Sequence, residues 1–341
     1  MQITDSLAAL VAGRDLNRGQ TRTVFDTIMG GDATPAQIAG VLMGLKAKGE
    51  TVEEITGAAE AMRAVSTKVD VDVANLVDTC GTGGSGAAKR FNISTAAAFV
   101  AAAAGAHVAK HGNRGASSAS GSADVLEAAG ANVELEPDQV GRCIREVNVG
   151  FLFAVRHHAA MRYAGPVRRE LGIGTIFNLL GPLTNPAGAR RQVLGVFSPA
   201  WQKPLAEVAQ VLGSQRVLVV HSDGLDELSI QGPSAVVELN DGRIDSYEVS
   251  PADFGLREKA MDDLRAATPV QSLGLIRSAL NESNEAASDV VALNAGAAIY
   301  ASGVATTLAN GVVLAQDLIA SGQASEKLKE FVDLTRMMGE V

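Results

Sequence analysis

Apolar residues in the first 66 positions recur at helical spacing, as in Ile38, Leu42 and Leu45, which share one helix face. Start signals punctuate this segment. Thr34 precedes Pro35, a capping residue followed by the residue best tolerated in a first turn. Thr51 stands three residues before Glu54, the spacing of a capping box. The pattern predicts consecutive helices whose apolar faces need a partner. From about residue 72 it changes to short β-branched or apolar runs that end in glycine-rich or polar turns and alternate with longer alanine-rich segments. Residues 75–77, 106–109, 193–197 and 217–221 are the expected strands, and the alternation predicts an α/β region around a largely parallel sheet. A second helical stretch, roughly 158–182, is expected to pack beside the N-terminal helices, while the acidic, Ser/Ala-rich 279–289 reads as a loop.

Composition places this pattern in a folded globular chain. Its 341 residues are 47% hydrophobic and 20% charged, enough for two domains or one domain with an appendage. A net charge of -9 opposes general binding to nucleic acid or an anionic membrane, so any anion site must be local. Cys80 and Cys143 alone supply no disulfide framework and suit a reducing cytoplasm. The start, MQITDSLAAL, lacks the basic and apolar regions of a secretory signal. The apolar run 96–109 is broken by Gly105 and His107 and is too short to cross a bilayer. A cytoplasmic protein is expected.

Five constellations carry candidate chemistry. Gly81, Gly83, Gly84 and Gly86 follow an apolar run, and glycine backbones can form a nest of amides around an anion. Gly81, Gly83 and Gly86 also match the dinucleotide fingerprint, but that reading expects an acidic residue about 20 positions later, and no carboxylate appears before Asp124. Asn92-Ile93-Ser94-Thr95 opens an Ala-rich helix. Ser and Thr there serve either as ordinary caps or, behind a glycine loop, as part of a phosphate site. Lys110-His111-Gly112-Asn113-Arg114 follows a buried run, a setting that favours an anion pocket over a solvated basic cluster; Ser122 and Asp124 also read as caps for the next helix. Asp226-Glu227 is either a solvated turn or a Mg²⁺ site completed by substrate phosphates. Arg162, Arg168 and Arg169 are surface arginines or a fork for a planar aromatic carboxylate. His157 and His158 lie nearby, without spacing that suggests zinc or a nucleophilic triad.

In this order, the segments GTGG (81–84), NIST (92–95), KHGNR (110–114), SGSAD (120–124), FLFA (151–154), PVR (166–168), TIFNLLGPLTNPA (175–187) and DGLDE (223–227) resemble the anthranilate phosphoribosyltransferase family over nearly the full chain. The resemblance implies α/β architecture with a small all-α domain, the two-domain type III fold shared with nucleoside phosphorylases. The helical domain would comprise residues 1–70 joined by about 158–187, and the α/β domain 71–157 and 188–341. A homodimer through the helical part is also implied. Carried over by position, the site for phosphoribosyl diphosphate (PRPP) would comprise Gly81, Gly84, Ser85, Arg90, Asn92, Ile93, Ser94, Thr95, Lys110, His111, Gly112, Asn113, Arg114, Ser117, Ser118 and Ser122. Gly81, Asn113 and Arg168 would hold anthranilate, and Ser94, Asp226 and Glu227 would hold Mg²⁺. Lys110, Asn113 and Arg168 would carry catalysis by charge and orientation, with the amine attacking directly.

The sequence departs from the family pattern at four positions. Ser85 replaces Asp, Arg90 a small hydroxyl residue, Ala119 a Lys and Gly174 an Arg. Arg90 is expected to restore the charge missing at 119. A related phosphoribosyltransferase or nucleoside phosphorylase with another acceptor is the alternative, followed by a non-catalytic relative that binds nucleic acid, which the acidic balance opposes.

Overall fold

In the computed structural model, residues 2–84, 90–115 and 120–339 are described. Four helices come first: α1 (Ile3–Val11), α2 (Arg18–Gly30), α3 (Pro35–Lys48) and α4 (Val52–Val65). Both expected starts are in place, with Thr34 Oγ accepting from Gln37 N and Thr51 Oγ from Glu54 N, each at 3.3 Å. The Glu54 side chain is fully buried. Besides closing its capping box, it accepts from Leu16 N at 2.9 Å and pairs with Lys48 at 3.0 Å, tying the entrance of α2 to that of α4. The two helices touch at Gly57, where an added Cβ would lie 2.3 Å from the Arg18 carbonyl oxygen.

The chain then enters a sheet: β1 (Leu76–Gly81), α5 (Ile93–Ala103), β2 (His107–Gly112), α6 (Ser122–Ala129), α7 (Pro137–Val147) and β3 (Val149–Phe153). It returns to the helical side through α8 (Ala154–His157), α9 (Met161–Leu171) and α10 (Ile176–Leu180). It re-enters the sheet with β4 (Arg191–Gly195), α11 (Gln202–Val211), β5 (Arg216–His221), β6 (Ser234–Asn240) and β7 (Arg243–Val249). Four helices finish it: α12 (Pro269–Leu280), α13 (Glu285–Ser302), α14 (Leu308–Ala320) and α15 (Gln323–Gly339). Strand order is β3-β2-β1-β4-β5-β6-β7, parallel from β3 to β5 and antiparallel across β6 and β7.

The two faces of the sheet feed different cores. Leu218 and Val220 pack with α5, α13 and α14, whereas Val217 and Val219 pack with α2, α4, α10 and α11, the alternation a strand imposes on its side chains. The segment between α4 and β1 is held by the two other connections to the helical side: Thr67 N donates to His157 O at 2.9 Å, and Val69 N to Pro186 O at 3.1 Å. His157 Nδ1 returns a hydrogen bond to Thr67 O at 2.9 Å.

Several expectations are corrected. β1 and β2 extend past residues 77 and 109 into Asp78–Gly81 and Lys110–Gly112, and β3, β6 and β7 were not anticipated. The stretch 158–182 is not one helix: α9 ends at Gly172, in the left-handed region at φ 64°, before α10 restarts. The region 279–289 is mostly helical, because α12 runs to Leu280 and Asn284, accepting from Ala287 N at 3.0 Å, starts α13.

Candidate active site

Loops leaving the carboxyl ends of β1, β2 and β5 meet the first turn of α5 around a cavity of about 290 Å³. This placement follows from parallel topology, which delivers successive loops to one edge of the sheet. Gly81, Gly84, Arg90, Asn92, Ile93, Ser94, Thr95, Lys110, His111, Gly112, Asn113, Arg114, Ser122, Asp226 and Glu227 all line it. Ser85, Ser117, Ser118 and Ala119 lie outside the described residues.

The residues of this cavity are held differently. Asn92, not Ser94 or Thr95, is the N-cap residue of α5, so the ordinary capping role considered for those hydroxyls does not apply. Asn92 Oδ1 instead accepts from Ser120 Oγ and Ser272 Oγ at 3.2 and 2.7 Å. Ile93 sends its side chain into the core, whereas Thr95 Oγ1 is buried with no partner among the described residues. Such a hydroxyl is costly to leave unpaired and suits a ligand oxygen. The Lys110 ammonium is buried, donating to Thr79 O at 2.5 Å and Ser94 Oγ at 3.3 Å. Burial pushes its pKa down, opposed by the Asp78 charge.

Arg90, 8% exposed, reaches Gln231 Oε1 at 3.2 Å and Asp262 at 3.8 Å. The Arg114 guanidinium is turned toward Glu127 and Glu134 and over the Phe153 ring at 4.9 Å. Asp124 accepts from Gly121 N at 2.7 Å and Gly115 N at 2.8 Å, which closes the loop before α6, and Ser122 is the first residue of that helix.

The acidic pair is positioned by close backbone packing. Ser222 Oγ donates to Glu227 O at 2.7 Å, and Asp226 Oδ2 accepts from Gly83 N at 3.2 Å. A Cβ at Gly81 would lie 2.4 Å from Asp226 Oδ2, so only glycine leaves that carboxylate in place. Together with the Ser94 hydroxyl, Asp226 and Glu227 put hard oxygen donors on one cavity wall.

A larger cavity of about 660 Å³ lies alongside, lined by α9 and α10 and sharing Gly81, Gly112, Asn113 and Asn178 with the first. Arg168 reaches it with its guanidinium over the Phe177 ring at 5.1 Å. Among the described residues it has no acidic partner, and burial pushes its pKa down. Arg162 and Arg169 also line this cavity, but Arg162 is engaged with the Tyr163 ring and hydroxyl.

His111 Nδ1 donates to Gly181 O at 3.1 Å, leaving Nε2 to accept from His158 Nε2 at 3.2 Å. Burial lowers the pKa of His111 to about 4 and of His158 to about 3, so both rings are neutral at pH 7. Sequence reasoning missed Asp78. Its buried carboxylate accepts from His111 N at 3.0 Å, Asn185 Nδ2 at 2.8 Å and Gln192 Nε2 at 3.3 Å, fixing the end of β2 on which Lys110 rides. The available signal was a charged residue directly after the apolar run 75–77, inside what proves to be β1.

An anion-ready cavity thus adjoins a cleft with an unpaired guanidinium. Residues 4–66 match the helical bundle domain of a glycosyl transferase family and residues 73–325 its a/b domain. Anthranilate phosphoribosyltransferase from Teredinibacter turnerae is 54% identical over 99% of this chain and 100% of its own length. The chain belongs to the anthranilate phosphoribosyltransferase family. The family's enzyme from a Marinomonas strain is likewise 54% identical, over 98% of both chains. The crystal structure of anthranilate phosphoribosyltransferase from Thermus thermophilus superposes with a TM-score of 0.92 at 44% identity, covering 97% of this chain and 99% of that one. The Saccharomyces cerevisiae enzyme, solved in complex with PRPP and Mg, gives a TM-score of 0.88 at 25% identity over 98% of both chains. The fold is the two-domain type III arrangement, a helical bundle beside an α/β domain.

Proposed function

We propose that the protein transfers the phosphoribosyl group of PRPP to the amine of anthranilate, giving N-(5-phosphoribosyl)anthranilate and diphosphate in tryptophan biosynthesis. The observation that carries this reading is Arg168: a half-buried guanidinium, without an acidic partner among the described residues, in a cleft that shares a wall with the anion-ready cavity. Such a fork suits a planar aromatic carboxylate.

PRPP occupies the smaller cavity. Its anionic groups meet the first turn of α5, the Thr95 hydroxyl, the Lys110 ammonium and the Arg90 guanidinium. Ser85, Ser117 and Ser118 complete the proposed substrate site, with Gly84, Asn92, Ile93, His111, Gly112, Arg114 and Ser122. The oxygen donors of the same cavity fit Mg²⁺, which takes one or two carboxylates together with substrate phosphates. Ser94, Asp226 and Glu227 would hold it. Bound there, Mg²⁺ supplies positive charge to the departing diphosphate.

Anthranilate lies in the larger cavity, its carboxylate on Arg168 and its ring against the shared wall of Gly81 and Asn113. The amine nitrogen attacks the anomeric carbon as the bond to diphosphate breaks, and the nitrogen then loses a proton. No nucleophilic side chain is needed. The chain lowers the barrier by orientation and by prearranged charge, chiefly through Lys110, Asn113 and Arg168. We further propose the domain boundaries given above, a homodimer through the helical domain and a cytoplasmic location; among the described residues no helix is long and apolar enough to cross a membrane.

Loss of anthranilate fluorescence on addition of PRPP and Mg²⁺ tests the reading. The loss is expected to stop with EDTA and to fall sharply in Asp226→Ala. No loss at high concentrations of both substrates would overturn the assignment of the acceptor.

A further inference from the structure

The wall between the two cavities is where the reacting atoms must meet, and its polar side chains are few. The Cys80 thiol is engaged, donating to Asp78 Oδ2 at 3.4 Å and accepting from Gln192 Nε2 at 3.1 Å. Thr82 Oγ1 donates to Gly83 O and accepts from Phe197 N, and both nitrogens of His111 are engaged. Two carboxamides remain. Asn113 Oδ1 accepts from Arg114 N at 2.8 Å, and Asn178 Oδ1 accepts from Thr175 N at 3.1 Å.

In both residues the backbone donor fixes which end of the amide is oxygen, so Nδ2 is the end left for a ligand. Among the described residues nothing engages either Nδ2. Asn113 is already part of the proposed acceptor site; Asn178 is not.

We infer that Asn178 is a further acceptor-positioning residue, whose Nδ2 donates to the carboxylate of the aromatic acceptor while Arg168 holds that carboxylate from the other side. Asn178 lines both cavities, and its neighbour Phe177 is the ring that carries the Arg168 guanidinium, so α10 sets both groups at once. The amine cannot be the target, because a donor on its lone pair would block attack on the anomeric carbon. The carboxylate, ortho to the amine, is the acceptor group that reaches the same wall. This inference rests on the function proposed above.

Steady-state kinetics of Asn178→Asp and Asn178→Ala, with melting temperatures, test it. Asp keeps an oxygen for Thr175 N but loses the donor and adds a like charge. The Asp variant is expected to retain the wild-type melting temperature, and its KM for PRPP should rise less than that for anthranilate. Its KM for anthranilate should rise by about 30-fold or more, the loss of a charge-assisted hydrogen bond with added repulsion. The Ala variant should lose about tenfold in the same constant and also melt lower. An Asp variant with an unchanged KM for anthranilate would overturn the inference and leave Asn178 as a structural cap. Absence of transfer by the wild-type enzyme would instead remove the functional reading, and this inference with it.

Discussion

Replacing Gly81 with alanine puts a methyl group where the Asp226 carboxylate lies. The added Cβ would be 2.4 Å from Oδ2 and 3.2 Å from Cγ, whereas ordinary contact begins near 3.4 Å, so the carboxylate must retreat by about 1 Å. The retreat also stretches the 3.2 Å hydrogen bond from Gly83 N, on the loop that approaches the anion cavity. Overpacking of this kind costs about 1–3 kcal/mol of stability, and a displacement of about 1 Å in a positioning group costs on the order of 100-fold in rate. Gly81→Ala is therefore expected to fold with a modestly lowered melting temperature and to lose roughly 100-fold in kcat/KM. The Mg²⁺ concentration for half-maximal rate should rise. The assay is the fluorescence decay of anthranilate across a Mg²⁺ titration at saturating PRPP. A variant whose Mg²⁺ dependence matches that of the wild type would refute the argument that this glycine holds Asp226 in place.

Other expected outcomes follow from the same geometry. Arg168→Ala removes the unpaired guanidinium and should raise the KM for anthranilate roughly ten- to 150-fold, the equivalent of about 1.5–3 kcal/mol, with little change for PRPP; equal effects on both substrates in steady-state kinetics would count against it. Arg90→Ala should raise the apparent dissociation constant of PRPP about fivefold, a small effect because Asp262 already offsets part of the charge, and an unchanged constant by calorimetry would remove Arg90 from the site. The His111–His158 pair predicts a pH effect on stability. Both imidazoles are held below their unfolded value near 6.5, so as pH falls through 6.5 the unfolded chain binds protons that the folded chain refuses. Stability is thus present above about pH 6.5 and declines until the folded values of about 4 and 3 are reached, by at most about 1.4 kcal/mol per pH unit per ring. Melting temperatures between pH 7 and 4.5 should fall more steeply for the wild type than for His158→Gln, and parallel profiles would contradict it.

The helical start was legible because its signals are local: Thr34, Thr51 and their partners lie within one turn. Strand ends were less so. Hydrophobicity stops at residues 77 and 109, yet β1 and β2 continue because Asp78 and Lys110 find partners on other elements, information that no local window holds. β6 and β7 escaped notice although Asp241-Gly242 marks their hairpin, since β7 is an edge strand with few buried positions. The start of α13 was hidden by its polarity, because Asn284 and Glu285 suit a loop as well as a helix N-terminus. The candidate site was read mainly through ordered motifs, and the structure gathers its described members around two adjoining cavities. What the motifs could not convey is orientation: that Arg114 faces acids, that Arg168 faces none among the described residues, and that Asn178 commits its amide oxygen to Thr175 N.

The clasp around Thr67 bears on how the two parts of the molecule are joined. The chain passes between them three times, and the passages at Thr67–Val69, His157 and Pro186 are hydrogen-bonded side by side. The junction therefore resembles a stitched seam rather than a tether: a single protease cut in the partly exposed segment 70–74 would break one of the three passages, yet the amino-terminal fragment would stay docked through Thr67, Val69, the packing of α2 and α3 against α9 and of α4 against α10 and α11, and the sheet side chains beneath. Separately expressed fragments divided there should find each other, so that part of the path from one layer to the other is carried by contacts and not by the order of the chain.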